Sequence, residues 1–229
     1  MSEPISVISS MATRLVLSEL AGRFSDATGL AVKIESVGGV DAARRVREGE
    51  VFDIVVLAAN SIDKLIGENL LRADTRTGIA QSGVAIAVRA GTQHPDVSSE
   101  AALRAAVAAA RSIGYSTGPS GAHLQSLFER WGLAEQVASR TVQAKPGVPV
   151  ASLVAKGEVE LGFQQLSELL STEGIDVLGP LPPEVQTVTV FTAAVSSATR
   201  NADRARTLLA FLAATDADDI KQRHGMEAV

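Results

Sequence analysis

The apolar pattern of this chain switches repeatedly between strand and helix periods, and that alternation restricts its fold more than any other feature. Residues 5–8 form a short apolar run. Residues 11–27 then carry Leu15, Leu17, Leu20, Ala21 and Phe24 at helical spacing before Gly29. Residues 31–36 read as a strand, 41–48 as a helix, 52–57 as a fully buried strand and 62–68 as a helix. Such a βαβαβα rhythm predicts an α/β fold on a parallel sheet with right-handed crossovers. A second series follows, with strands at 83–88, 112–115, 140–143, 160–163 and 176–178 and helices at 100–111, 121–131, 148–156 and 165–170. The cluster Gly179, Pro180, Leu181, Pro182 and Pro183 closes it. A strand at 187–195 and a helix at 203–214 have no series of their own, and the economical path returns them to the first lobe. The expected organisation is two lobes, 1–81 plus 188–229 and 82–187, with hinge strands near 80–84 and 183–190 and a ligand cleft between the lobes.

Four polar or glycine-rich turns each separate a strand from a helix. They comprise Ile8, Ser9, Ser10 and Met11; Val37, Gly38, Gly39 and Val40; Ser116, Thr117, Gly118, Pro119, Ser120 and Gly121; and Lys145, Pro146, Gly147 and Val148. A helix start offers backbone N–H groups without intrahelical partners and the positive end of a dipole. Several such starts converging on one cleft bind a small anion without a buried lysine or arginine.

Each candidate has a plainer reading beside the functional one. Ser9 and Ser10 can simply cap the first helix. Their place at the C-terminal edge of the first strand, where open α/β sheets bind ligands, makes them and Met11 candidate contacts. Gly38 and Gly39 can make a tight turn, but two adjacent glycines exceed what one turn needs, so these residues and Val40 are candidate backbone donors. Asn60 reads as a helix cap or a ligand contact. Ser116, Thr117, Ser120 and Gly121 form a phosphate-loop-like stretch that lacks the lysine of a nucleotide loop, so an anion is expected and a nucleotide is not. His123 follows in the first turn of that helix, either packed or exposed, or acting on a ligand as a proton-transfer group. Lys145 is exposed or pairs with a carboxylate, and Gly147 and Val148 are candidate backbone donors. Gln164 and Gln165 follow a strand end in apolar surroundings and need partners if buried. Glu35 and Asp53 read as structural, and His94 and His224 as surface residues.

Composition removes several classes of function. The 229 residues contain no cysteine, which excludes disulfides, thiolate catalysis and cysteine-ligated zinc. No HxxxH, EF-hand, Ser-His-Asp or paired-carboxylate spacing occurs, so neither a metal nor a cofactor is expected. Aromatic residues make up 3%, which disfavours stacking on sugars or single-stranded nucleic acid. Net charge is −5, and Arg44, Arg45 and Arg47 are followed by Glu48 and Glu50, a solvated face rather than a nucleic-acid patch. No apolar run is long enough to span a bilayer, so no membrane insertion is expected. Met1, Ser2, Glu3 and Pro4 run directly into a strand without a basic and apolar leader. The expected location is cytoplasmic for the chain as it stands, and periplasmic if a signal peptide has been removed.

The opening strand, the small-residue turn at Ser9 and Ser10, and the helix running through Phe24 to Gly29 resemble the periplasmic molybdate-binding protein family. So do Ala43, Arg44, Gly49, Phe52, Asp53 and Ile54, the turn Gly118, Pro119, Ser120 and Gly121, and Leu161, Gly162 and Phe163. The resemblance spans nearly the whole chain in matching order. It implies the two-lobed type 2 periplasmic-binding-protein fold, with a tetrahedral oxyanion held at helix starts. The family's first ligand serine falls on Ala12 without gaps, or on Ser9 or Ser10 with a short slip. The small residue before the family's glycine aligns with Ser120, and the fourth-turn backbone donor aligns near Gly147. Where the family has a second serine-rich turn, this chain has Gly38, Gly39 and Val40; where the family often has a closing tyrosine, it has Gln165. A Gly-Gly turn supplies backbone donors in a roomier pocket, which suits a carboxylate better than molybdate.

The expected function is therefore a solute-binding protein for a small anion, an organic di- or tricarboxylate, serving an ABC permease if exported or a sensor otherwise. The alternative is an isomerase resembling aconitate isomerase, a relative of the family. It would move an allylic proton on an unsaturated polycarboxylate without a cofactor, with His123 or Lys145 as the titrating group. A residual molybdate binder is a third reading, with Ser9 or Ser10 compensating for the glycine turn.

Overall fold

The computed structural model describes residues 3–229; Met1 and Ser2, on which the expectation about a leader partly rests, lie outside the described residues. The chain forms two units, one made of the segment up to Gln81 together with Thr189–Val229, the other of Ser82–Val188.

The first unit begins with β1 (Ile5–Ser10), a 3-10 turn (Met11–Thr13) and α1 (Arg14–Thr28). α1 stops where Gly29 takes φ 71 and gives its N–H to the Ser25 carbonyl, a left-handed cap that glycine adopts without strain. β2 (Val32–Val37), α2 (Gly39–Arg47), β3 (Ile54–Ala58) and α3 (Ala59–Gly67) follow. β1 is parallel to both β2 and β3, so all three strands end on one edge of the sheet. β3 is apolar throughout because both of its faces are covered. Ile54 and Val56 join Leu17, Leu20 and Phe24 in one core, while Val55 and Leu57 join Val46, Ile62 and Leu65 in the other. Asp53, buried ahead of β3, accepts hydrogen bonds from the Ser6 N–H at 2.8 Å, the Ser6 hydroxyl at 3.0 Å and the Thr199 hydroxyl. It staples β1 to the segment after the last strand, a structural role that satisfies a buried carboxylate.

β4 (Thr77–Arg89) carries the chain onward into the second unit. α4 (Glu100–Ala109) is capped by Ser99, whose hydroxyl accepts from the Ala102 N–H at 3.2 Å. Then come β5 (Ile113–Tyr115), α5 (Pro119–Arg130), α6 (Ala134–Val137), β6 (Thr141–Gln143), α7 (Val150–Ala155), β7 (Leu161–Gln165), α8 (Leu166–Leu169) and β8 (Ile175–Pro180). β5 is parallel to β6 and β7, and β4 runs antiparallel to β7 and β8. The chain returns to the first unit through β9 (Val188–Val195), α9 (Ala202–Ala213) and α10 (Asp218–Arg223), with β9 antiparallel to β3.

Several local expectations need correction. The sheet is parallel within β1, β2 and β3 and within β5, β6 and β7, but antiparallel where β9 joins β3 and where β4 joins β7 and β8. Those three strands are not consecutive members of βα units, so local periodicity does not report their direction. The strand expected at 83–88 extends over Thr77–Arg89, and its first half reaches a distant segment through the bridge of Gln81 with Glu227. Gln164 and Gln165 are the last two residues of β7 rather than residues beyond it. Asn60 lies inside α3, whose N-cap is Ala58, so it is not the cap. The periodicity predicts no helix at 134–137 or 218–223, and both segments are helical.

Candidate functional site

In the first unit, three strand-to-helix turns leave the shared C-terminal edge of β1, β2 and β3. None of the helix starts that follow carries a side-chain cap, so their first N–H groups are available as donors. The two adjacent serines differ sharply. Ser9 is fully buried and its hydroxyl is engaged, with the Ser36 hydroxyl at 2.8 Å and the Ser10 carbonyl at 3.3 Å. Ser10 is 7% exposed, and its hydroxyl has no hydrogen-bond partner among the described residues. A buried hydroxyl left unpaired is costly, and such groups mark places where a partner is expected from outside the chain.

The glycine turn lies against this serine. A Cβ built on Gly39 would sit 3.8 Å from Ser10 Cβ and 4.0 Å from Leu57 Cδ2, ordinary contacts. Neither Gly38 nor Gly39 has positive φ, so backbone torsion does not require glycine at either position, and packing within the unit does not require it at Gly39. Gly39 opens α2, with Val40 exposed and Asp41 in the first turn paired with Arg44. Met11 is half-buried in the 3-10 turn, and Asn60 is exposed on α3.

In the second unit, β5, β6 and β7 also end on one edge. Beyond β5, the Ser116 hydroxyl lies 3.1 Å from the Ser120 hydroxyl and accepts the Gly118 N–H at 3.2 Å. Ser120 is buried, Ser116 half-buried and Thr117 exposed. Gly121 is required by close approach: a Cβ there would fall on the Ser116 carbonyl oxygen, 2.8 Å from the carbonyl carbon and 3.1 Å from Tyr115 Cδ2. The missing side chain lets the start of α5 fold back onto the strand end.

The turn after β6 is a Pro-Gly reverse turn, with Gly147 at φ 79 and the Val148 N–H bonded to the Lys145 carbonyl at 2.9 Å. That N–H is therefore engaged within the chain. Lys145 and Gly147 are exposed. His123 gives Nε2 to the Val185 carbonyl at 2.7 Å, which ties α5 to the turn Pro183–Val185. Gln165 is buried at the end of β7, against Val84 of β4. Gln164 is buried with both ends of its amide used: Oε1 accepts the Ala151 N–H at 3.3 Å, and Nε2 donates to Glu168 Oε1 at 2.8 Å. Burial pushes the Glu168 carboxyl up to about 7, partly offset by that hydrogen bond. Sequence reasoning missed Glu168. Its signal is an acidic residue set among Leu166, Leu169 and Leu170 directly after a buried strand.

Several other charged groups are engaged in ion pairs. Arg45 bridges Glu35 and Glu50, Arg44 pairs with Asp41 and Glu48, and Arg47 pairs with Glu68. His94 lies 3.0 Å from Asp176, and His224 lies 2.9 Å from Glu19. A cavity of about 660 Å³ opens in the second unit, lined by Ser112 and Leu161 at the N-terminal ends of β5 and β7 and by Arg89, Arg111 and Glu160. It contains none of the ligand-binding or catalytic candidates read from the sequence. Among the described residues, no group of His, Asp and Glu could hold a metal ion, and no helix is long and apolar enough to cross a membrane.

Residues 5–227 match the family of bacterial extracellular solute-binding proteins. The chain is 34% identical over 231 residues to a curated aconitate isomerase from a Pseudomonas species, covering 98% of this chain and 88% of that protein. Among solved structures it is similar to the periplasmic molybdate-binding protein of Azotobacter vinelandii, with a TM-score of 0.82 at 20% identity over 98% of this chain and 99% of that one. It is also similar to the sulfate-binding protein SubI from Mycobacterium tuberculosis H37Rv, with a TM-score of 0.78 at 17% identity over 100% and 88% of the two chains. The fold is accordingly the α/β fold of the periplasmic binding proteins, and the resemblance to molybdate-binding proteins read from the sequence holds at the level of the fold.

Proposed function

Since the chain belongs to the bacterial extracellular solute-binding protein family, we propose that it binds an unsaturated tricarboxylate and moves an allylic proton along it. The observation that carries the binding part is the Ser10 hydroxyl, buried and unpaired beside a glycine turn that opens an uncapped helix. Ser10 Oγ and the first N–H groups of α2 offer a carboxylate several short hydrogen bonds and no bulky side chain. The second unit carries a comparable set of donors of its own, the Ser116 and Ser120 hydroxyls and the N–H groups at the start of α5. These donors hold charge through oriented dipoles rather than through a fixed cation, which suits a ligand whose charge is spread over several carboxylates. Support for turnover comes from the likeness to aconitate isomerase along almost the whole chain.

A second reading has its own support. The solved relatives named for molybdate and sulfate favour a receptor that holds an anion unchanged and delivers it to a membrane permease outside the cytoplasm. A thermal-shift panel separates the ligand classes, because a ligand that binds the native state raises its melting temperature. An unsaturated tricarboxylate is expected to raise it by several degrees at millimolar concentration, with molybdate and sulfate having little effect. Stabilisation by molybdate or sulfate alone would overturn the proposal in favour of the oxyanion receptor.

A further inference from the structure

Glu168 is a half-buried carboxyl three residues beyond the end of β7, on the same strand edge as the Ser116 and Ser120 hydroxyls. Gln164, itself buried, accepts the Ala151 N–H on its carbonyl oxygen at 3.3 Å and so presents its amino group to Glu168 Oε1 at 2.8 Å, which fixes that carboxyl oxygen. Apolar residues pack on α8, with Ala85 and Ala87 of β4, Ala151 of α7, and Ile175 and Val177 of β8 around Leu166 and Leu169. The preceding residue, Ser167, is 5% exposed, and its hydroxyl has no partner among the described residues. Two adjacent residues on one turn thus present a positioned carboxyl and an unpaired buried hydroxyl, an expensive pairing for a helix end that served packing alone.

We propose that Glu168 is the catalytic residue that carries the proton between the two allylic carbons of the substrate, an inference that rests on the isomerase reading above. The carboxylate removes a proton from the methylene carbon between a carboxylate and the double bond. The C–H electron pair becomes the new carbon–carbon double bond, and the old π pair takes the proton back from the Glu168 carboxylic acid at the far carbon. Atoms and electrons balance without an oxidant or cofactor. A carboxyl raised to about 7 populates both forms near neutral pH, as a group that takes and returns a proton must. The titrating groups singled out from the sequence are placed less well for this step: His123 spends Nε2 on Val185, and Lys145 stands exposed on its turn.

The test compares the native protein with Glu168→Gln and Glu168→Asp, using aconitate as the probe, with conversion read by proton NMR and binding by thermal shift. Glu168→Gln keeps an acceptor for Gln164, so it is expected to retain the ligand-induced rise in melting temperature while conversion falls by about 100-fold or more. Glu168→Asp is expected to recover part of the rate, and native turnover to fall as pH drops below about 7. Conversion by Glu168→Gln within a few-fold of native would overturn the role of Glu168 and leave the isomerase reading standing. A native protein that binds the probe and never converts it would overturn both.

Discussion

Replacing Ser10 by alanine separates a ligand-binding serine from a structural one, because the two readings predict opposite changes in the free protein. The Ser10 hydroxyl is buried without a partner, so it opposes folding by roughly 1 kcal/mol or more. Ser10→Ala removes that cost and leaves a cavity smaller than a methyl group. In a chain of 229 residues each kcal/mol moves the melting temperature by about 2–4 °C, so the free variant is expected to melt at or up to a few degrees above the native protein. A hydrogen bond to a charged ligand contributes about 1.5–3 kcal/mol, so affinity for the tricarboxylate should fall by about 10- to 150-fold. Ser9→Ala is the matched control. It removes the bond to Ser36 at 2.8 Å and strands that hydroxyl, so it should lower the melting temperature by about 2–4 °C with a smaller loss of affinity. Differential scanning calorimetry of the free proteins and isothermal titration with the ligand read both quantities. A Ser10→Ala variant destabilised as much as Ser9→Ala, with unchanged affinity, would refute the assignment of Ser10 to the ligand.

Glu168 makes stability depend on pH in a defined direction. Its carboxyl titrates at about 7 in the folded chain against an ordinary value of 4.5, so the folded state holds the extra proton between those limits. This group's contribution is therefore greatest at and below pH 4.5, is lost as pH rises through 7, and amounts to about 3 kcal/mol. Glu168→Gln should abolish that slope between pH 5 and 8 and raise the melting temperature at pH 8 by about 6–12 °C, as measured by thermal melts across that range. Gly121→Ala places a methyl group against the Ser116 carbonyl and should cost about 3 kcal/mol, whereas Gly39→Ala meets only ordinary contacts and should leave stability near native. Chemical denaturation of the two variants tests that contrast.

The parts of this protein that repeat a local rule could be read from the sequence. The runs at Ile5 and Ile54 and the helical spacing of Leu17, Leu20 and Phe24 gave strands and helices near their true positions, because one face of each is set by burial. The antiparallel entry of β4 and β9 was not legible, since their partners are distant in the chain. Ser9 and Ser10 look alike as letters, and only the Ser36 hydroxyl at the end of β2 distinguishes the engaged serine from the unpaired one. Gly121 reads as a ligand-binding glycine in a loop, yet the carbonyl of Ser116 is reason enough for it. Glu168 passed unnoticed because its environment is made by Gln164 and by residues of other elements, which no window of sequence displays.

The central claim is turnover of an unsaturated tricarboxylate, and proton NMR of the native protein with the trans isomer of aconitate in deuterated water tests it most directly. The account predicts appearance of the cis isomer and the same equilibrium mixture from either isomer. A ligand that raises the melting temperature while its spectrum stays unchanged at stoichiometric protein would contradict the claim and identify a receptor.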